Sequence, residues 1–269
     1  MKYIQFKNKE NINLKSFYTN NYVFAYITGY KGHILINQLP SNISNNQLII
    51  IPIHSEFSCH IKKINSTSTI DVIIINKDDI NKIIKDLNID NYKKYNKKGD
   101  ILKIENNNII RTNYSMINIL SKTEIDKSII LNQSISFILK EILKDGWNIN
   151  NTFSINTKRS VKSLISELVK KSPEHSWTLI TVSKELNTTP STLRRHLKKE
   201  NISFSKLLLK IRLGLGLNYL TFSNHSILKV SYLSGFNSSA YFCDVFKKEY
   251  HMTPSEFRIN SRNNNNLKI

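Results

Sequence analysis

Hydrophobic and polar positions change rhythm twice along the chain. Between Tyr22 and about Asn76 they form short runs, "YVFAYITGY", "HILINQL", "QLIIIPI", "EFSCHIKKI" and "TIDVIIIN", rich in β-branched and aromatic residues and broken by Gly, Pro, Asn and Ser. Runs of this length predict several short strands, closed as a small sandwich or barrel. Past Asn76 the period lengthens. Ile80, Ile83, Ile84 and Leu87 share one helical face behind Asp78 and Asp79, whose charges suit a helix N-terminus. A second helix is predicted from Lys127 to Asp145, where Leu131, Ile135, Ile138 and Ile142 form a stripe that Gly146 ends. The stripe lasts only about two heptads, which favours core packing against the strands over the alternative, a dimer seam.

The segment "NINNTFSINT", Asn148 to Thr157, is polar and aperiodic. It marks a boundary between a domain over 1–150 and another over 158–269. From Lys158 onward the pattern is all short helices. "RSVKSLISELVKKS" places Val161, Leu164, Ile165 and Leu168 on one face, and Pro173 stops it. "WTLITVSKEL" and "PSTLRRHLKKE" are two helices with only Asn187, Thr188 and Thr189 between them. A longer helix in "SFSKLLLKIRLGLGLNYL" leads to a second pair, Ile227 to Leu233 and Ser239 to Glu249. The fold class expected is therefore α+β: a β-sandwich or barrel with helices, then an all-α domain of two helix-turn-helix motifs on a linker helix.

Each pair is bracketed by residues that fix a helix start. Thr189 can cap the helix after it, and Pro190 sits where its missing N–H costs nothing. Winding Pro190 to Lys199 at about 100° per residue sets Leu193 and Leu197 against Ser191, Arg194, Arg195 and Lys198. In the second pair Gly235 suits a left-handed turn and Ser238 a cap; the winding buries Phe242, Val245 and Phe246 and presents Ser239, Ala240, Cys243, Asp244 and Lys247. A short, rigidly started helix with a polar outer face is what a DNA major groove about 12 Å wide admits.

Charge points the same way. The whole chain of 269 residues carries a formal +19. Residues 1–154 hold 20 Lys+Arg against 13 Asp+Glu (+7), and residues 155–269 hold 19 against 7 (+12). The shorter half is the more basic, as a polyanion-binding half would be. The two cysteines, Cys59 and Cys243, lie in no chelating pattern, and no apolar run reaches the ~18 residues of a bilayer span. A reducing, cytoplasmic setting is expected, without a membrane partner. No Gly-rich phosphate loop, nucleophile elbow, His-Glu-x-x-His motif or paired-carboxylate site is present, so catalysis is not expected. His54 and His60, six apart, would stand roughly 20 Å from each other on one strand, too far to share an ion. No metal and no cofactor is expected.

Two helix-turn-helix units joined by one helix, with Trp177, Ser191, Leu193, Arg195, Leu197, Arg212-Leu213, Gly235-Phe236, Ser238-Ser239, Tyr241-Phe242, Phe246-Lys247-Lys248 and Thr253 to Arg258 in order, resemble the AraC/XylS family of bacterial transcription regulators. The resemblance covers about Lys158 to Arg258. It implies a cupin-like regulatory domain over 1–150, and double-stranded promoter DNA and RNA polymerase as partners, with a homodimer as a further option. Its DNA-binding residues would be Ser191, Thr192, Arg194, Arg195, Lys198, Ser239, Ala240, Cys243, Asp244 and Lys247. Asn201 and His251 stand where the family usually has Gly, Gly216 replaces a common Ala, and Asp244 falls where relatives often carry a polar or basic residue. The first motif is thus expected to read sequence and the second to bind more through the backbone. The family's enteric virulence regulators, which this chain resembles in size and in its Asn, Ile and Lys usage, respond to fatty acids, bicarbonate or bile-related cues. That implies a small anionic effector, for which Lys31, His33 and Arg111 are the candidate cations. The competing reading is a small-molecule sensor that docks a protein instead of DNA.

Overall fold

The computed structural model of the protein describes residues 1–7, 11–87, 102–105, 107–123, 126–153 and 160–263. They divide into two compact units, one over 1–14 and 21–157, the other over 15–20 and 158–263.

The first unit is a two-sheet sandwich backed by helices. Strands β1 (Lys2–Phe6), β3 (Tyr22–Thr28), β6 (Gln47–Ile51), β8 (Thr69–Ile75) and β9 (Leu102–Glu105) form one sheet in the order β1-β8-β3-β6-β9. Strands β2 (Ile12–Tyr18), β4 (Tyr30–Ile36), β5 (Leu39–Ile43) and β7 (Glu56–Lys63) form the other, β2-β7-β4-β5. Alternation along β3 explains the layering. Tyr22, Phe24 and Tyr26 pack with helices α1 (Lys77–Asp86), α2 (Asn108–Leu120), α3 (Lys127–Lys144) and the single turn α4 (Ile149–Thr152), while Ala25 and Ile27 pack with Ile34, Ile36 and Ile61 of the other sheet. The five-stranded sheet is therefore covered on both faces. Leu131, Ile135, Ile138 and Ile142 of α3 all lie in the helix-side core, so that stripe is core and not a dimer seam.

Three features depart from the sequence reading. The strands begin at Lys2, before Tyr22: β1 is a five-residue strand paired with β8, too short and lysine-flanked for its alternation to stand out. Helix α2, capped by the Asn107 side chain on the Ile110 N–H, went unread within an Asn-rich run. The polar boundary segment also buries Ile149 and Phe153 completely against Tyr22 and Phe24, two apolar anchors without a period around them.

The second unit is helical: α5 (Val161–Lys171), α6 (Leu179–Glu185), α7 (Pro190–Lys199), α8 (Phe204–Phe222), α9 (Ile227–Leu233), α10 (Ser239–Tyr250) and α11 (Pro254–Asn263). It has two cores. Ile165, Val169, Val182, Leu193, Leu197, Leu207 and Ile211 make one; Leu213, Leu217, Leu220, Val230, Phe236, Phe242, Phe246 and Tyr250 make the other. Helix α8 contributes to both.

A buried carboxylate in the first unit has a testable consequence. Asp71 on β8 accepts from Tyr3 Oη at 2.5 Å, Gln5 Nε2 at 2.9 Å and Thr69 Oγ1 at 3.3 Å, yet burial raises its pKa against these donors. The folded protein then holds this proton more tightly than the unfolded chain, so stability falls as pH rises from the ordinary carboxylate pKa through the raised one. In urea unfolding between about pH 4 and pH 8, the stability of the native protein relative to Asp71→Asn is expected to shrink with rising pH; growth with pH would contradict the assignment.

Candidate nucleic-acid interface

Local sequence sets the start of every helix that matters here. Thr178 and Thr181 form a reciprocal capping box at α6. The Thr189 hydroxyl accepts from the Thr192 N–H at α7, with Pro190 in the first turn. Ser203 caps α8, Ser226 caps α9 and Ser238 caps α10, each side chain accepting from the N–H three residues on. The turns between them need positive φ. Asn187 (48°) and Asn201 (52°) frame α7, Gly235 (87°) ends the α9 turn, and His251 (56°) closes α10. Asn201 and His251 thus adopt the left-handed geometry that glycine takes most readily, at the cost that a side chain brings there.

On α7 the division of faces is clean. Leu193 and Leu197 are buried; Ser191, Arg194, Arg195 and Lys198 are exposed, with His196 and Lys199 beside them. Thr192 is half-buried, and its hydroxyl accepts from Thr189 Oγ1 at 2.9 Å, which ties it to the cap. On α10, Phe242, Phe246 and Tyr250 are buried, and Ala240, Asp244, Lys247 and Lys248 are exposed. Ser239 is half-buried. Cys243 is half-buried too, packs against the second core, and burial raises its thiol pKa, so it faces inward more than the helical winding implied. Val245 is only half-buried. Tyr241, passed over as a contact residue, is 55% exposed.

A concavity of about 1060 Å³ lies between the two motifs; part of α7 and the N-terminal end of α10 line it, while Ser191, Arg195, Ala240, Asp244 and Lys247 lie outside it. Arg194, Leu197 and Lys198 of α7 line it, as do Ser238 and Tyr241 at the start of α10, Thr178 at the start of α6, and Ser203 and Ser205 at the start of α8. Helix N-termini turned to one surface favour anionic groups. The signal that could have picked out Thr178 and Ser203 in the sequence was their role as caps.

Arg212 of α8 joins the two motifs. Its Nη2 donates to the carbonyls of Pro173 at 3.1 Å and His175 at 3.0 Å, and partial burial lowers its pKa. A Cβ on Gly235 would stand 2.0 Å from the same Pro173 oxygen and 2.7 Å from Arg212 Nε. The turn of the second motif is thus pressed against the loop that leads into the first. Trp177 is half-buried on the first core and donates its indole N–H to the Ser172 carbonyl at 2.8 Å.

The candidate effector cations do not come together. Lys31 and His33 lie exposed on β4, on the outer face of the four-stranded sheet, whereas Arg111 is exposed on α2, whose buried Ile110 and Tyr114 pack on the far side of the five-stranded sheet. Lys31 pairs across the strands with Lys62 and His33 with His60, the imidazole centroids 5.4 Å apart. His54 sits in a turn at φ 62°. Among the described residues no three His, Cys, Asp or Glu side chains are grouped as metal ligands, and no helix is long and apolar enough to cross a membrane.

Two capped helix pairs, each with a second helix that buries one face and exposes a polar one bearing lysine or arginine, are the paired helix-turn-helix motifs of a DNA-binding transcription regulator. A helix-turn-helix domain family matches residues 182–260. The urease operon transcriptional activator of Escherichia coli is 36% identical over 278 residues, covering 98% of this chain and 92% of that one. The transcriptional activator PerA of Escherichia coli O127:H6 is 30% identical over 148 residues, 54% of each chain. ToxT of Vibrio cholerae has the same fold, with TM-score 0.70 at 18% identity over 96% of this chain and 98% of that one. ToxT bound to (E)-4-(8-methylnaphthalen-1-yl)but-3-enoic acid matches at TM-score 0.71 and 21% identity over 97% of this chain and 98% of that one. The chain belongs to the AraC/XylS family of transcriptional regulators.

Substitutions on α7 should separate reading from positioning. Arg195→Ala is expected to cost about 1 to 3 kcal/mol and to relax preference at one base position. Lys198→Ala is expected to weaken binding on all sequences alike and to reduce the slope of log K against log salt by about 0.9. Gel-shift titration at several salt concentrations checks both, and uniform weakening by Arg195→Ala would remove it from the readers.

Proposed function

We propose that the protein activates promoters by laying α7 and α10 in two successive major-groove segments of one duplex, about 34 Å apart, and by contact with RNA polymerase. The observation that carries this reading is the pair of capped helices α7 and α10, each burying one face in its own core and exposing a polar face with two or more cations. Ser191, Arg194 and Arg195 of α7 are its base-reading set, with Thr192 set back by its bond to the cap and Lys198 on the phosphates. Arginine in particular can address guanine bidentately. Ala240, Asp244 and Lys247 of α10, with Ser239 and Cys243 partly inward, make the second contact. The Asp244 carboxylate repels phosphate and can accept only from a base amino group such as that of cytosine, so this helix leans on Lys247, Lys248 and the backbone for affinity. RNA polymerase is the protein partner of this reading, and a second copy of the chain its partner on repeated operator segments. Its targets are taken to be virulence genes, on the resemblance to the family's enteric virulence regulators.

The first unit serves as the sensor in this reading, and a small amphipathic anion is its effector. ToxT, with the same fold, carries a butenoic acid in one of its structures. Like charges directly opposite on a sheet repel, and Lys31 with Lys62 flanking His33 and His60 makes a face that an anion would relieve. Arg111, on the other side of the sandwich, is left out.

Selecting bound fragments from the native genome, with and without a fatty acid or bicarbonate, tests both halves. The expected result is a small set of AT-rich promoter fragments, lost as salt rises, whose capture responds to the anion; the response should vanish in Lys31→Ala/Lys62→Ala and survive in Arg111→Ala. Equal capture of all fragments would leave a regulator that does not read DNA sequence by these helices.

A further inference from the structure

Helix α8 carries two glycines, and an interior glycine costs a helix about 1 kcal/mol relative to alanine. The structure shows what each admits. A Cβ on Gly216 would stand 2.9 Å from the ring of Phe242 in the second core. A Cβ on Gly214 would stand 2.2 Å from the carbonyl oxygen of Tyr18 and 3.3 Å from Asn20 Nδ2. Gly214 therefore accommodates not another helix but a piece of the strand region.

That piece belongs to the DNA-binding unit. Residues 15–20 group with 158–263, although the chain enters them along β2 and leaves them into β3. The Tyr18 side chain is 1% exposed and lies in the first core with Leu193 and Leu197, the two residues that seat α7. Lys170 Nζ of α5 donates to the Asn20 carbonyl at 2.5 Å. Both polar atoms of the Asn20 side chain and the Ser166 hydroxyl are buried without a hydrogen-bond partner. Each such orphan subtracts from the net gain of docking, so the segment is released more cheaply than one whose buried polar groups are all paired.

We propose that Tyr18, Thr19 and Asn20 form a positioning strap for the first reading helix, with Tyr18 as the residue that sets α7 through Leu193 and Leu197. The strap is threaded between β2 and β3, so DNA reading by the first motif is tied through the backbone to the strands of the sensor. The proposal rests on α7 being a reading helix, but the strap itself is observable without DNA.

Gly214→Ala in the full chain is the decisive variant because the two accounts give it opposite signs. With nothing docked on α8, alanine strengthens the helix. With the strap docked, the new methyl displaces it. Hydrogen exchange of the α7 amides, Leu193 to Lys199, measured without DNA, is expected to speed up at least about tenfold in Gly214→Ala while unfolding stays cooperative. In gel shift, the preference for a fragment selected by the native protein over sonicated random DNA should fall by a similar factor. Tyr18→Ala should reproduce both effects, and Tyr18→Phe should restore most of the protection. Unchanged or slower α7 exchange in Gly214→Ala overturns the proposal. So does a Tyr18→Ala protein whose helices all loosen alike while Gly214→Ala leaves α7 untouched, since Tyr18 would then be core filling and nothing more. Faster α7 exchange in a protein that binds no selected fragment would keep the strap and discard the reading of DNA by α7.

Discussion

A single apolar helix, α8, sets the geometry on which DNA reading depends. Leu207 and Ile211 close the first core; Leu213, Leu217 and Leu220 close the second. Burying five such side chains stabilises by roughly 1.5 to 3 kcal/mol each as an upper estimate, far beyond the ~2 kcal/mol that Gly214 and Gly216 together cost the helix. The leucines and Ile211 of α8 need enclosing, and the two motifs enclose them toward opposite ends of the helix. Arg212 then ties the loop before α6 to α8 by two hydrogen bonds, and the Gly235 turn of the second motif packs closely on that same loop.

From that rigidity follows the division of labour between the reading helices. Helix α7 offers Arg194, Arg195 and Lys198 outward with no acidic residue among them, while α10 sets Asp244 among Ala240, Lys247 and Lys248. Long-range attraction belongs to the unit as a whole, whose share of the chain carries +12 of the +19. Discrimination falls to a few side chains held still by caps and turns. Asn201 and His251 take the left-handed positions that end α7 and α10.

The helical unit was legible in the sequence because its signals are local. Caps at Thr189 and Ser238, the proline at position 190 and the glycine at 235 each fix a boundary within a few residues, and the leucine spacing fixes the face. What the sequence concealed was long-range. Nothing near Tyr18 says that it packs with Leu193, nothing near Gly214 says why a glycine is tolerated there, and α2 lacks an apolar run long enough to stand out from its asparagines. Cys243 shows the limit of helical winding, which assigns a direction but not the depth of the neighbouring core. In the first unit, the candidate cations Lys31, His33 and Arg111 fall on two opposite faces, because strand alternation and sheet stacking, not proximity in sequence, decide which residues meet.

The central claim is that α7 and α10 act as one surface on one face of a duplex. Methylation interference on a selected promoter fragment tests it most directly. The account predicts two clusters of critical major-groove positions on the same face, about 10 base pairs apart, with the cluster under α7 sharper and lost selectively in Arg195→Ala. A single cluster, or two on opposite faces of the helix, would contradict it.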